Sequence, residues 1–66
     1  MTTEIVKTMI EQINAEIKQA ITEYERFGND ENIIKHSRIK VSGMMTMLEL
    51  VAGRPYYFDN DGVHEK

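Results

Sequence analysis

Apolar residues in the first half of the chain recur at alternating spacings of four and three. The series has seven members, which are Val6, Ile10, Ile13, Ile17, Ala20, Tyr24 and Phe27. This heptad spacing places one apolar seam along an α-helix, and Ile5, Met9 and Ile21 widen it. The remaining positions are mostly polar. The pattern therefore predicts an amphipathic helix over about residues 3–27.

A short connection that contains glycine separates this helix from a second one. Gly28 can adopt the left-handed backbone conformation that ends helices at little energetic cost. Asn29 or Asp30 then caps the next helix, and Glu31 in its first turn interacts favourably with the helix dipole. Because the connection is short and the helices have similar lengths, the sequence predicts an antiparallel helical hairpin.

The last quarter of the chain differs in composition from the helices. Gly53 followed by Pro55 is typical of a helix end, so the second helix is predicted over about residues 30–52. Residues 53–66 are rich in aromatic side chains, and Asn60-Asp61-Gly62 is a turn sequence. An isolated strand pair is not stable. We therefore predict a short extended arm or a minimal hairpin that folds back on the helix ends.

The second helix carries two apolar faces. The face that suits the first helix contains nine residues, which are Ile33, Ile34, Ser37, Val41, Met44, Met45, Leu48, Val51 and Ala52. On the opposite side lie Ile39, Gly43, Met47 and Leu50. A helix that is apolar on two sides is normally buried on both. The second face is therefore predicted to meet another copy of the chain, and a groove for a separate partner is the alternative.

The length of the chain limits how such a fold can be stabilised. We treat residues 1–66 as a single helical-hairpin domain, which buries only roughly 60% of the surface that its unfolded chain exposes. The chain has no cysteine, and its two histidines, His36 and His64, are too distant in sequence to suggest a zinc pair. Self-association remains as the stabilising device. The prediction is an all-α fold in which the hairpin assembles into a four-helix or larger bundle, with the second helix at its centre.

Composition excludes several functional classes. The net charge of −3 and the pI near 5.2 disfavour binding to duplex nucleic acid or to an anionic membrane. The N-terminal residues lack the pattern of a signal peptide, and no apolar run is long enough to span a membrane. Together with the absence of cysteine, these features predict a cytoplasmic protein.

No catalytic motif is present. Ser37 and Ser42 lie within a predicted helix, and neither is surrounded by a nucleophile-elbow sequence. Asp59 and Asp61 resemble the start of a calcium loop, but the series of ligands is incomplete, so a plain turn is favoured. The chain is therefore predicted to be non-enzymatic and to need no cofactor or metal.

Two basic groups could hold an anion. Arg54 stands beside Tyr56 and Tyr57, and arginine with stacked aromatic rings can hold a phosphate and a base together. Support could come from three further basic residues of the second helix, which are His36, Arg38 and Lys40. A compact nucleotide suits this set better than duplex DNA, because the chain is acidic. The alternative is that Arg54 caps the last carbonyls of the helix while the aromatic residues close the end of the bundle.

A resemblance supports a binding role. Two matched helices in a chain of this length resemble the Rop-type plasmid regulators in architecture. Two segments, Gly43–Glu49 and Gly53–Phe58, are similar in style to short orphan proteins of bacteriophages, as is Asp61-Gly62-Val63. The resemblance implies a mobile-element protein that binds and blocks a host factor through its oligomeric surface. The alternative that it implies is an oligomeric sponge that sequesters a small anionic (cyclic) nucleotide at subunit interfaces.

Overall fold

The computed structural model describes residues 2–66 and shows two helices followed by two strands. Helix α1 spans Thr2–Arg26 and helix α2 spans Glu31–Ala52. Strand β1 spans Tyr56–Asp59 and strand β2 spans Gly62–Glu65. The predicted antiparallel helical hairpin is confirmed, and the all-α prediction is right only in part, because a two-stranded antiparallel sheet completes the fold.

Local sequence signals account for both ends of the helices. Gly28 and Asn29 both adopt positive φ, 74° and 61°, and this pair of left-handed residues reverses the chain. Asp30 caps α2, since its side-chain oxygen accepts a hydrogen bond of 3.0 Å from the backbone N–H of Asn32. Gly53 ends α2 at a φ of 70° and donates its N–H to the carbonyl of Glu49.

The core forms where the two helical seams meet. Its buried residues are Ile13, Ile17 and Ala20 of α1 together with Val41, Met45 and Leu48 of α2. The heptad seam of α1 is therefore correct through its central repeats. It fails at Phe27, which is 61% exposed because α1 ends at Arg26 and the chain turns away from α2 at that point.

The two strands form a hairpin that lies along the groove between the helices. We call residues 56–65 the strand hairpin. Three of its apolar side chains, those of Tyr56, Phe58 and Val63, pack on the helical core. The predicted minimal hairpin that folds back on the helices is confirmed, but it extends beyond the helix ends, because the chain reverses at Gly53 and β1 runs back along α2. The strand hairpin is thus a third layer of the core.

Side chains of the helices close both edges of the sheet. The backbone N–H of Tyr56, on the outer edge of β1, donates to a Glu49 carboxylate oxygen of α2 at 3.0 Å. The N–H of Val63, on the outer edge of β2, donates to the Asn14 side-chain oxygen of α1 at 2.8 Å. Unpaired strand edges attract other strands, so these two bonds both attach the strand hairpin and protect it.

The helices dominate the shape of the molecule. Its principal extents are 41 × 16 × 16 Å, and the long dimension follows the helix axes. Over residues 2–66, neither helix combines the length and the apolar composition that crossing a membrane requires.

Candidate binding surfaces

The second apolar face of α2 is fully on the surface of the single chain. We call Ile39, Gly43, Met47 and Leu50 the outer stripe. Ile39 is 67% exposed, Met47 56% and Leu50 73%, whereas Val41 and Leu48 on the opposite face are completely buried. Within residues 2–66, more than half of each of these three large side chains stays uncovered. They are the surface that sequence reasoning assigned to an oligomer interface.

Gly43 lies in the middle of the outer stripe without a reason inside the chain. A Cβ built at this position would meet no atom within 4 Å, and the backbone is helical there. Glycine inside a helix costs about 1 kcal/mol of stability relative to alanine. Neither the backbone conformation nor packing within the chain explains why this residue is glycine.

The basic residues of α2 point into different grooves. Arg38 lines a cavity of about 280 Å³ together with Asp59 and Asn60 at the tip of the strand hairpin. His36 and Lys40 line another depression, where the Lys40 ammonium lies 3.4 Å from a carboxylate oxygen of Glu16. The three predicted supporting residues are therefore divided between two sides of the molecule.

Arg54 lies at the far end of α2 from these residues. At a rise of about 1.5 Å per residue, the fourteen positions between Lys40 and Arg54 correspond to roughly 20 Å. Arg54 forms an ion pair with Glu65, and both side chains are more than half exposed. The alternative role predicted for it, capping the carbonyls of α2, belongs instead to the N–H of Gly53, which donates to the carbonyl of Glu49 at 2.9 Å.

Tyr56 and Tyr57 point to opposite faces of the sheet. Tyr56 is half-buried and, with Arg54 and Val6, lines a cleft of about 230 Å³. Tyr57 faces outward at 45% exposure, and its ring lies 5.1 Å from the ring of His64 at an angle of 34°. One chain thus brings Arg54 together with Tyr56 and presents Tyr57 with His64 as an exposed aromatic pair.

The turn of the strand hairpin is held by Asp59. One of its carboxylate oxygens accepts a hydrogen bond of 2.9 Å from the backbone N–H of Asp61 and lies 3.1 Å from the His64 ring nitrogen. The Asp61 N–H, and after it His64, hold the pKa of Asp59 below its ordinary value of 3.8. The structure shows a turn at Asn60 and Asp61.

Asn14 and Glu49 are the residues that sequence reasoning missed. Each lies on a helix and accepts a hydrogen bond from a strand, Asn14 from Val63 at 49 positions along the chain and Glu49 from Tyr56 across the turn at Gly53, and neither helical nor strand periodicity signals these contacts. The one indication in the sequence was Asn14 itself. Asparagine has a low helix propensity, yet this residue lies beside the apolar seam in the middle of a helix. In the part of the chain that the structure describes, no three His, Asp or Glu side chains come close enough to hold a metal ion.

Comparison with known proteins adds no relative. No family model, curated protein or solved structure matches the chain. The resemblance to Rop-type regulators and to short phage proteins stays a prediction.

Proposed function

We propose that the chain is a non-catalytic, self-associating binding module of the mobile-element type that acts on a host factor through the surface of its assembly. The observation that carries this proposal is the outer stripe, whose three large apolar side chains are more than half exposed. In the proposed assembly the outer stripes of two copies face each other. The product is a four-helix or larger bundle with α2 at its centre and α1 outside.

The magnitude of the apolar surface supports an assembly of moderate affinity. Burying a large aliphatic side chain completely contributes roughly 1.5–3 kcal/mol. Six such side chains in a pair, each already partly covered, contribute about 6–12 kcal/mol, and association costs about 4–15 kcal/mol. The two ranges are similar, so the flanking half-buried Met44 and Val51 must contribute as well. Because the gain and the cost are similar in size, one unfavourable substitution is sufficient to disrupt the assembly.

Replacing Leu50 with glutamate tests self-association. Leu50 is the most exposed member of the outer stripe, and a carboxylate there would be buried without a partner in the assembly. We expect sedimentation at micromolar concentration to show an oligomer for the natural chain and a monomer for Leu50→Glu, with a lower melting temperature.

Ile5→Glu is the matched control for this substitution. Ile5 is also an exposed aliphatic residue, at 55%, but it lies on α1 outside the proposed contact. Its variant should keep the mass of the assembly. An unchanged mass for Leu50→Glu, or a natural chain that sediments as a well-folded monomer, would contradict the proposal.

A second candidate function is a sponge for a small anionic nucleotide at subunit interfaces. The observation that favours it is the exposed Tyr57–His64 pair, since exposed rings stack on bases, with Arg54 a few residues away. The Arg54–Glu65 ion pair opposes it, because a phosphate would have to displace Glu65. An exposed ion pair of this kind contributes little, so displacement is feasible.

A thermal-shift screen tests the nucleotide function. We expect a ligand that binds, such as a cyclic dinucleotide, to raise the melting temperature by about 5 °C or more at a concentration of about 100 times its dissociation constant. Tyr57→Leu should remove the shift and Tyr57→Phe should keep it, because stacking needs the ring and not the hydroxyl. No shift across a broad panel of nucleotides would eliminate this function and leave the host-factor proposal.

A further inference from the structure

The outer stripe is symmetric about Gly43. Ile39 stands four residues before the glycine and Met47 four residues after it, while His36 and Leu50 stand seven residues before and after. When two copies of a helix pack antiparallel about a two-fold axis, each position pairs with the one equally distant on the other side of that axis. We infer that two copies of α2 pack antiparallel and cross at Gly43, which lies on the two-fold axis. This inference rests on the self-association proposed above and specifies its geometry.

The missing side chain at Gly43 allows the close approach that such a crossing needs. Helix axes normally lie 8–10 Å apart, and the side chains at the contact set the distance. Nothing in the chain approaches within 4 Å of the position where a Cβ would stand. In a two-fold pair, the space left by the missing side chain of Gly43 occurs in both copies at the crossing. Ile39 of one copy then packs against Met47 of the partner copy on both sides of the crossing.

Charge distribution selects the antiparallel direction. In that arrangement a basic residue of one copy comes near the level of an acidic residue of the partner copy. Lys35, eight residues before Gly43, lies about half a turn from the level of Glu49, six residues after it. In a parallel pair, each charged residue would instead lie beside the same residue of the partner copy, and the like charges would repel. The helix dipoles also favour the antiparallel pair.

The same geometry brings residues together that a single chain keeps apart. His36 and Arg54 lie at opposite ends of α2 within one chain. Across the antiparallel pair, Ala52 at the end of α2 in one copy lies about half a turn from the level of His36 of the other, and Arg54 follows Ala52 by two residues. Each end of the pair therefore combines basic residues from both copies.

Cysteine cross-linking tests the geometry, because the chain contains no cysteine of its own. A disulfide requires Cα atoms about 4.4–6.8 Å apart. In the antiparallel pair, position 39 faces position 47, whereas two copies of position 39 are separated by about 12 Å along the axis. We expect an equal mixture of Ile39→Cys and Met47→Cys chains to form covalent dimers on mild oxidation, and either variant alone to form few.

Each other outcome overturns the inference. Efficient cross-linking of Ile39→Cys alone indicates a parallel pair. If the reduced chains sediment as dimers but no mixture forms cross-links, the contact lies on another face. The proposed self-association would then still hold. A monomeric natural chain overturns both proposals together.

Gly43→Ala provides a measurement that does not depend on cysteine chemistry. In a single chain the added methyl group contacts no other atom, and alanine has a higher helix propensity than glycine. The variant monomer should therefore be at least as stable as the natural one. In the pair, two added methyl groups separate the helices at their crossing. We expect the dissociation constant to rise by a factor of ten or more, and an unchanged or tighter constant overturns the inference.

Discussion

Replacing Gly62 with alanine is expected to detach the strand hairpin from α1 and to lower the melting temperature by roughly 10–20 °C. Two effects act at this residue. Its φ of 129° is strongly unfavourable for any residue with a side chain, and a Cβ would stand 2.6 Å from the Asn14 side-chain oxygen. That oxygen is also the acceptor for the N–H of Val63, so it cannot move without loss of the hydrogen bond. Together we expect a loss of about 2–4 kcal/mol.

Gly53→Ala separates backbone strain from the steric clash. Gly53 also has a positive φ, of 70°, but a Cβ there would meet no atom within 4 Å. Thermal denaturation followed by circular dichroism should show a smaller loss for Gly53→Ala, of about 1 kcal/mol. In a double-mutant cycle, the clash at Gly62 should disappear in the background Asn14→Ala. Equal losses for the two glycine variants would show that the contact with Asn14 does not constrain the strand hairpin.

Leu48→Ala is expected to destabilise the hairpin of helices by about 2–5 kcal/mol. Leu48 is completely buried and lies in the core cluster with Ile13 and Val41. A chain of this length has only about 3–5 kcal/mol of stability from its own core. The variant should therefore be largely unfolded as a monomer at 25 °C, as measured by urea denaturation of the helical signal at 222 nm.

Ile5→Ala is the control for this prediction. It removes a branched aliphatic side chain that is 55% exposed, and it increases helix propensity. The free energy of unfolding should change by less than about 1 kcal/mol. If Leu48→Ala and Ile5→Ala had the same effect, the core between the two helices would not be the main source of stability.

The features that were predictable are those that depend on local patterns. The seam through Ile13, Ile17 and Ala20 follows from a spacing that only a helix can place on one side. The ends of the helices follow from the chemistry of single residues, since Gly28 and Gly53 both adopt the left-handed conformation. Such signals need no knowledge of distant parts of the chain.

The features that were not predictable depend on contacts between distant residues. The strand hairpin was expected at the helix ends, but it lies in the groove because Asn14 and Glu49 bind its two edges. Asn14 and Val63 are 49 positions apart in the chain. The basic residues of α2 were considered as one group. Their division between two grooves depends on which side the strand hairpin covers, and Arg38 faces that side while Lys40 faces Glu16.

The two helices, their antiparallel connection and the second apolar face of α2 follow from the amino-acid sequence alone, because periodicity and helix-end residues act within a few positions. Which surfaces stay open depends on tertiary packing. The strand hairpin covers one side of the groove between the helices, and it leaves Ile39, Met47 and Leu50 exposed. The physical reason is that burial depends on what packs against a face, and those partners come from distant parts of the chain.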